Sequence, residues 1–221
     1  MNLNIKTIKD IEEVVEFVSS SINEKLKQGK KVLWFVSGGS AIPVEVKIAD
    51  KIDISLSGTL VVTLCDERFG HLGHPESNWF KLTNSGFRIL KAKIIPFLSG
   101  KDMKETTEDI REALSEELKN AEYKIGIFGI GIDGHTAGIL PHTEAVKSEE
   151  LVCTYETDLH DRMTITGKTI KMLDEAVLYA VGENKWPAIE KLATDVSIDE
   201  EPAQILKSVP LFTIFTDYKV E

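Results

Sequence analysis

Tyr123-Lys124-Ile125-Gly126-Ile127-Phe128, running directly into Gly129-Ile130-Gly131-Ile132-Asp133-Gly134-His135-Thr136, is the stretch on which the fold turns. The first half is short and apolar, with charge on its flanks, and reads as a buried strand ending at Gly129. The second half is a glycine-rich loop carrying a carboxylate and an imidazole. In open α/β sheets, ligands bind at the carboxyl ends of strands, and glycine lets backbone N–H groups come close to an anionic or carbonyl oxygen. A tight turn whose histidine merely caps a neighbouring element fits the glycines as well.

Moving toward the amino terminus, the same order recurs. Lys31 to Val36 is an apolar, β-prone run, followed by Ser37-Gly38-Gly39-Ser40 and then a helix predicted from Pro43 to Asp50. Free N–H groups and the positive end of a helix dipole converge at such a junction and suit a phosphate. The plainer alternative is an ordinary N-capping turn with a serine cap. The segment matches neither the Walker loop nor the Gly-x-Gly-x-x-Gly dinucleotide fingerprint, which disfavours nucleotide binding. A third strand, Thr59 to Leu64, leads into Cys65-Asp66-Glu67-Arg68 and then Pro75-Glu76-Ser77-Asn78-Trp79. Three charges at a strand end are either solvated or held in a polar site where Arg68 offsets the carboxylates and all can bond a hydroxylated ligand. Ser77 is the expected cap of a short helix through Leu82.

Helical periodicity covers Ile8 to Leu26 and Glu105 to Leu118. Further on, Thr169 to Asp174 reads as a short helix, Ala176 to Val181 as a strand, Trp186 to Thr194 as a helix with Pro187 in its first turn, and Leu211 to Thr216 as a closing strand. Strands alternating with helices predict an α/β fold, Rossmann-like, with a mainly parallel sheet and helices on both faces. No linker, low-complexity stretch or internal repeat divides the chain, so residues 1–221 are expected to form one domain. Residues 144–161 receive no assignment.

The chain is 42% hydrophobic and 28% charged, with a formal net charge of -10. That charge repels nucleic acid and anionic membranes unless a local basic patch overrules it. The nearest approach to one, Lys25, Lys27, Lys30 and Lys31, reads as favourable charge around a helix end stopped by Gly29. No apolar run reaches the length of a membrane span. Cys65 and Cys153 are far apart with no Cys-x-x-Cys pair, and no apolar signal-peptide core is seen at the amino terminus, so a reducing cytoplasm is expected. His71-x-x-His74 could ligate zinc if His142 or His160 joined it. The pair lies in a Gly- and Pro-containing loop with nothing to fix a third ligand, so neither metal nor cofactor is expected, and His142 and His160 read as surface loop residues.

The loops, in their order, resemble those of the 6-phosphogluconolactonases, sugar-phosphate lactone hydrolases that share a fold with the glucosamine-6-phosphate deaminases. The resemblance runs from Ser37-Gly38-Gly39-Ser40 through Asp66-Glu67-Arg68 and Ser77-Asn78 to Gly129-x-Gly131-x-Asp133-Gly134-His135-Thr136-Ala137, closed by Leu140-Pro141. Arg162-Met163-Thr164-Ile165-Thr166 is similar to the family's arginine-bearing strand, and Val181-Gly182-Glu183-Asn184-Lys185 to its glycine-lysine turn. Ala41 departs from the Thr or Ser common after the first loop, and Trp186-Pro187 from the small residue usual after the lysine. Deaminases of this fold carry Asp-Glu-Tyr at the second loop and a Phe-Asn-Glu-Pro continuation after the histidine. Here Arg68 and Gly138-Ile139-Leu140-Pro141 stand instead, so an acid is missing, although His74-Pro75-Glu76-Ser77 echoes the deaminase loop.

The resemblance implies hydrolysis of 6-phospho-D-glucono-1,5-lactone to 6-phospho-D-gluconate, a step of the oxidative pentose phosphate pathway. In that reading His135 takes a proton from water attacking the lactone carbonyl and returns it to the leaving ring oxygen, and Asp133 orients the imidazole. N–H groups from Gly131 to His135 are candidates for the oxyanion. Ser37, Gly38, Gly39 and Ser40 receive the phosphate, with charge from Arg162 and Lys185, while Asp66, Arg68 and Asn78 read sugar hydroxyls or hold the loop. The alternatives are a deaminase/isomerase-like enzyme and a non-catalytic sugar-phosphate sensor. The expected partner is a small sugar phosphate, and oligomeric state is left open.

Overall fold

The computed structural model describes residues 3–218. In chain order the elements are β1 (Asn4–Thr7), α1 (Glu12–Lys27), β2 (Val32–Val36), α2 (Ile42–Lys51), β3 (Leu60–Leu64), β4 (Asp66–Arg68), α3 (Asn78–Asn84), β5 (Lys93–Ile95), α4 (Met103–Asn120), β6 (Tyr123–Phe128), α5 (Glu144–Lys147), β7 (Val152–Tyr155), β8 (Arg162–Ile165), α6 (Gly167–Ile170), β9 (Glu175–Ala180), α7 (Trp186–Leu192) and β10 (Leu211–Thr216). Short 3₁₀ turns lie between several of them.

Seven strands form one sheet in the order β1-β10-β9-β6-β2-β3-β5, parallel at every pairing. Every residue of β2, β3 and β9 is buried. Strands with no polar face must be covered on both sides, and helices flank this sheet accordingly. The chain moves outward from β2 through β3 to β5, then returns to lay β6 on the opposite side of β2. The loops leaving β2 and β6 at their carboxyl ends therefore diverge from adjacent strands, which opens a crevice between them.

Local rules account for the helices. Along α1, Val14, Val15, Val18, Ile22 and Leu26 make the buried stripe, Glu12 and Glu13 occupy the first turn, and Lys25 and Lys27 the last. Gly29 follows at φ +78°, with Lys30 N–H bonding back to Lys25 O. Ser77 caps α3 by accepting from Phe80 N–H at 3.0 Å, as its sequence predicts. Asp102 does the same for α4 through Glu105 N–H at 2.9 Å.

Several features differ from the sequence reading. A small antiparallel sheet, β4-β8-β7, accompanies the main one and contains the Asp66 to Arg68 cluster as a strand. The outer strands β1 and β5 were not foreseen, because Asn4–Thr7 is polar and Lys93–Ile95 is only three residues long. The unassigned stretch 144–161 holds α5 and β7, the latter tied to α4 by Arg111 Nε donating to Val152 O at 2.9 Å. The helix expected over 169–174 is the single turn of α6, and α7 ends at Leu192. Among the described residues no helix is long and apolar enough to cross a membrane.

Candidate active site

A cleft of about 320 Å³ opens at the carboxyl edge of the main sheet. The β2 loop forms one wall with Ser37, Gly38, Gly39 and Ser40, and the β6 loop another with Gly131 and His135. The small sheet contributes Asp66, Arg68 and Arg162, α3 contributes Asn78, and the turn after β9 contributes Lys185. Of the catalytic and substrate-binding residues expected from sequence, all line this cleft except Asp133, which is hydrogen-bonded to His135.

The β6 loop is built around its histidine. Asp133 Oδ1 accepts from His135 Nδ1 at 2.6 Å and from His135 N–H at 3.2 Å. Burial acts to raise the Asp133 pKa, but the His135 charge and these hydrogen bonds outweigh it, and the net shift is downward. An ionised carboxylate only accepts, so Nδ1 carries the proton and Nε2 is left as the basic nitrogen. Gly131 is required for this contact, since a Cβ there would lie 2.1 Å from His135 Nδ1. The loop also spends its own donors. Gly131 N–H bonds His135 O at 2.9 Å, Gly134 N–H bonds Gly131 O at 3.0 Å, and His135 N–H is taken by Asp133. Those three N–H groups, expected from sequence to meet an oxyanion, are already engaged in holding the loop.

On the β2 side, Ser37 is anchored inward. Its hydroxyl donates to Ile127 O at 2.7 Å, joining the two loops at their roots, and its N–H donates to Glu45 Oε1 at 2.5 Å. The face offered to a ligand is thus the backbone of Gly38 to Ser40, whose N–H groups precede α2 and have no carbonyl a turn behind them. Lys185 Nζ donates to Ser40 Oγ at 3.1 Å, and burial lowers its pKa.

Between these walls runs a polar relay. Arg68 Nη1 donates to Asn78 Oδ1 at 2.7 Å, and Asn78 Nδ2 donates to Asp66 O at 3.0 Å. These two bonds tie Asn78 into the loop framework and leave its amide one N–H and one lone pair for a ligand. It presses so closely on the β2 loop that a Cβ on Gly38 would lie 2.2 Å from Asn78 Oδ1. Asp66 is nearly buried, with Arg162 Nη1 at 3.7 Å from its Oδ2. Burial raises the Asp66 pKa, against the pull of Arg68, Arg162, His135 and Asn78. In the β4–β8 ladder, Arg68 and Arg162 are directly opposed.

Two supporting residues lie outside the site residues expected from sequence, Glu67 being read there only as one charge of the Asp66-Glu67-Arg68 cluster. Glu67, completely buried, accepts from Arg68 N–H at 2.8 Å, Asn78 N–H at 2.6 Å, Trp79 N–H at 3.0 Å and Ser77 Oγ at 2.8 Å. It fastens β4 to the first turn of α3. Glu45 is the other. The signal for Glu67 was its place beside a capped helix start with unpaired N–H groups. The histidines outside the cleft are engaged separately: His74 Nε2 bonds Arg68 O at 3.0 Å, and His142 bonds Asp199 at 3.0 Å. Among the described residues no three His, Cys, Asp or Glu gather into a metal-binding group.

The family model for glucosamine-6-phosphate isomerases and 6-phosphogluconolactonases matches residues 9–212. The chain belongs to this family. A 6-phosphogluconolactonase of Chlamydia pneumoniae is 24% identical over 183 residues, spanning 78% of this chain and 69% of the relative. A glucosamine-6-phosphate deaminase of Lactobacillus johnsonii is 27% identical over 213 residues, spanning 89% and 87%. In fold, the chain is similar to the crystal structure of 6-phosphogluconolactonase from Thermotoga maritima, with a TM-score of 0.86 at 20% identity over 97% of this chain and 99% of that one. Glucosamine-6-phosphate isomerase/6-phosphogluconolactonase family membership leaves two chemistries, and the acids of the cleft separate them. Asp66 is the carboxylate among its lining residues, Asp133 backs His135, and Gly138-Ile139-Leu140-Pro141 adds none.

Proposed function

We propose that this chain hydrolyses 6-phospho-D-glucono-1,5-lactone to 6-phospho-D-gluconate, in the cytoplasm, as part of the oxidative pentose phosphate pathway. The observation that carries the reading is the Asp133–His135 pair beside a cleft containing Arg68, Arg162 and Lys185. A base is thereby placed next to an anion site. His135 Nε2 takes a proton from water as its oxygen adds to C1 of the lactone. The bond from C1 to the ring oxygen then breaks, its electron pair goes to that oxygen, and the proton held on Nε2 follows it. Asp133 stabilises the imidazolium formed between these steps. With the N–H groups of Gly131, Gly134 and His135 engaged, the negative charge developing on the carbonyl oxygen is met by the positive field of Arg68 and Arg162.

The phosphate rests against the Gly38 to Ser40 backbone with Lys185 at its side and Arg162 across the cleft, a charge-assisted arrangement at the start of a helix. The volume suits one compact metabolite, at the lower end of small-molecule sites of about 300 to 1,000 Å³. Ring opening followed by isomerisation and deamination of an amino sugar needs more proton-transfer groups than a lactone does, and Leu140 stands where the deaminase continuation supplies an acid. The test is hydrolysis of freshly made 6-phosphogluconolactone measured against its spontaneous background, with glucosamine 6-phosphate as a parallel substrate. Catalysed lactone opening without ammonia release is expected. Binding of 6-phosphogluconate with no turnover of the lactone would instead favour a non-catalytic sensor.

A further inference from the structure

Beneath the β2 loop lies a buried acid that the chemistry above does not use. Glu45, in the first turn of α2, is completely buried. Its Oε1 accepts the Ser37 N–H, and its Oε2 is buried without a hydrogen-bond partner. An interior carboxyl with an unpaired oxygen is unfavourable, and an apolar side chain of the same length would avoid the penalty. What Glu45 supplies in return is an acceptor at one point.

That point is the hinge between strand and loop. Val36 O accepts Cys65 N–H at 2.7 Å and closes the sheet side. Ser37 then fixes its hydroxyl on Ile127 O of β6 and its N–H on Glu45 of α2. The three residues that follow, Gly38, Gly39 and Ser40, line the cleft. Glycines give such a segment freedom, so its direction is set by whatever clamps its root. Without Glu45, the Ser37 N–H would be a buried donor free to turn the loop toward another acceptor. Burial holds the Glu45 pKa well above 4.5, aided by the nearby Asp66 charge and opposed by the Ser37 N–H. Its protonated form is isosteric with glutamine.

We propose that Glu45 is a positioning residue for phosphate binding: its carboxyl holds Ser37 N–H and so sets the angle at which the N–H groups of Gly38, Gly39 and Ser40 meet the phosphate. The inference rests on the phosphate reading of this loop given above.

Glu45→Met removes the acceptor at nearly constant length, and Glu45→Gln keeps it. Calorimetry with 6-phosphogluconate should show Glu45→Met weakened about tenfold and Glu45→Gln within roughly twofold of wild type, with unphosphorylated gluconate unaffected in both. In turnover, KM of Glu45→Met should rise by the same factor with kcat preserved. Hydrogen exchange of the Ser37 amide should be faster in Glu45→Met than in wild type or Glu45→Gln. If Glu45→Met does not fold, Glu45→Asp carries the comparison, its carboxylate being one methylene short of Ser37. Equal affinities in Glu45→Met and wild type, gluconate lost in step with 6-phosphogluconate, or Glu45→Gln impaired as much as Glu45→Met would each overturn the proposal. Wild-type protein that binds neither 6-phosphogluconate nor inorganic phosphate would overturn the reading of the loop itself, a result distinct from any of these.

Discussion

Arg68 and Arg162 face each other directly across the antiparallel pair β4 and β8. Like charges so placed weaken a ladder by a few tenths to about 1 kcal/mol. Asp66, 3.7 Å from Arg162 and itself nearly buried, is a partial counterweight to both charges. With Lys185 lining the same cleft, cations outnumber carboxylates there, in a chain whose formal net charge is -10. An anionic ligand neutralises that surplus.

Arg162→Ala and Lys185→Ala should therefore each weaken 6-phosphogluconate much more than gluconate, because a cation's contribution to a phosphate contact vanishes when the phosphate is absent. Charge-assisted bonds are worth roughly 1.5 to 3 kcal/mol, or about ten- to a hundredfold in dissociation constant. Calorimetry with both ligands on folded variants is the measurement. Equal losses for the two ligands would assign these side chains to the sugar or the scaffold.

His135→Ala should lower kcat for lactone opening by about 10²- to 10⁴-fold with the fold and phosphate affinity retained, the range of a general base. Asp133→Asn should cost less, since it leaves the imidazole present but no longer holds Nδ1–H against a carboxylate. Stopped-flow pH-indicator assays of proton release measure both. Near-normal turnover in folded His135→Ala would remove the imidazole from the mechanism.

Gly131→Ala tests how tightly that dyad is built. The added Cβ would lie 2.1 Å from His135 Nδ1 and 2.5 Å from Asp133 Oδ1, so the ring and the carboxylate must separate. A displacement of about 1 Å in a catalytic group can cost on the order of 10²-fold in rate. The expected result is a large fall in kcat with little change in 6-phosphogluconate affinity. A variant with unchanged kcat would mean that the Nδ1 contact does not matter.

The interior of the sheet was legible because β2, β3, β6, β9 and β10 are apolar runs with clear stops, and the loops after β2 and β6 because glycines punctuate them. The edges were not: Asn4–Thr7 and Lys93–Ile95 owe their strand state to neighbours already in place, and Asp66–Arg68 is a strand in spite of its charges. The cleft residues were found through loops at strand ends. The buried acids that brace them were not, since Glu45 in a helix's first turn reads as a solvated charge complementing the dipole, and burial is not a local property. Some donors near the cleft are spent within the protein, one N–H of Asn78 and the N–H groups of Gly131, Gly134 and His135, which no local sequence pattern announces.

Glu67→Ala should be strongly destabilising. Removal of the carboxylate leaves the N–H groups of Arg68, Asn78 and Trp79 without their acceptor in the interior, and unsatisfied buried donors cost about 1 to 3 kcal/mol each. Chemical denaturation should show a loss of at least about 2 kcal/mol. Glu67→Gln, which can accept but also brings unwanted donors, should fall between.

The last expectation concerns pH and Glu45. Its folded pKa lies well above the ordinary 4.5, so between 4.5 and that raised value the folded protein keeps a proton that the unfolded chain releases. Unfolding then liberates a proton, and stability from this group, complete below 4.5, is lost as pH rises toward the folded value. Glu45→Gln has no such proton. Its melting temperature relative to wild type should be lowest near pH 4 and should climb as the pH is raised above 4.5 toward the folded value. Melting curves of the two across that range decide it. A gap that stays constant with pH would mean that Glu45 titrates alike in the folded and unfolded chains, and that its interior position costs it nothing in ionisation.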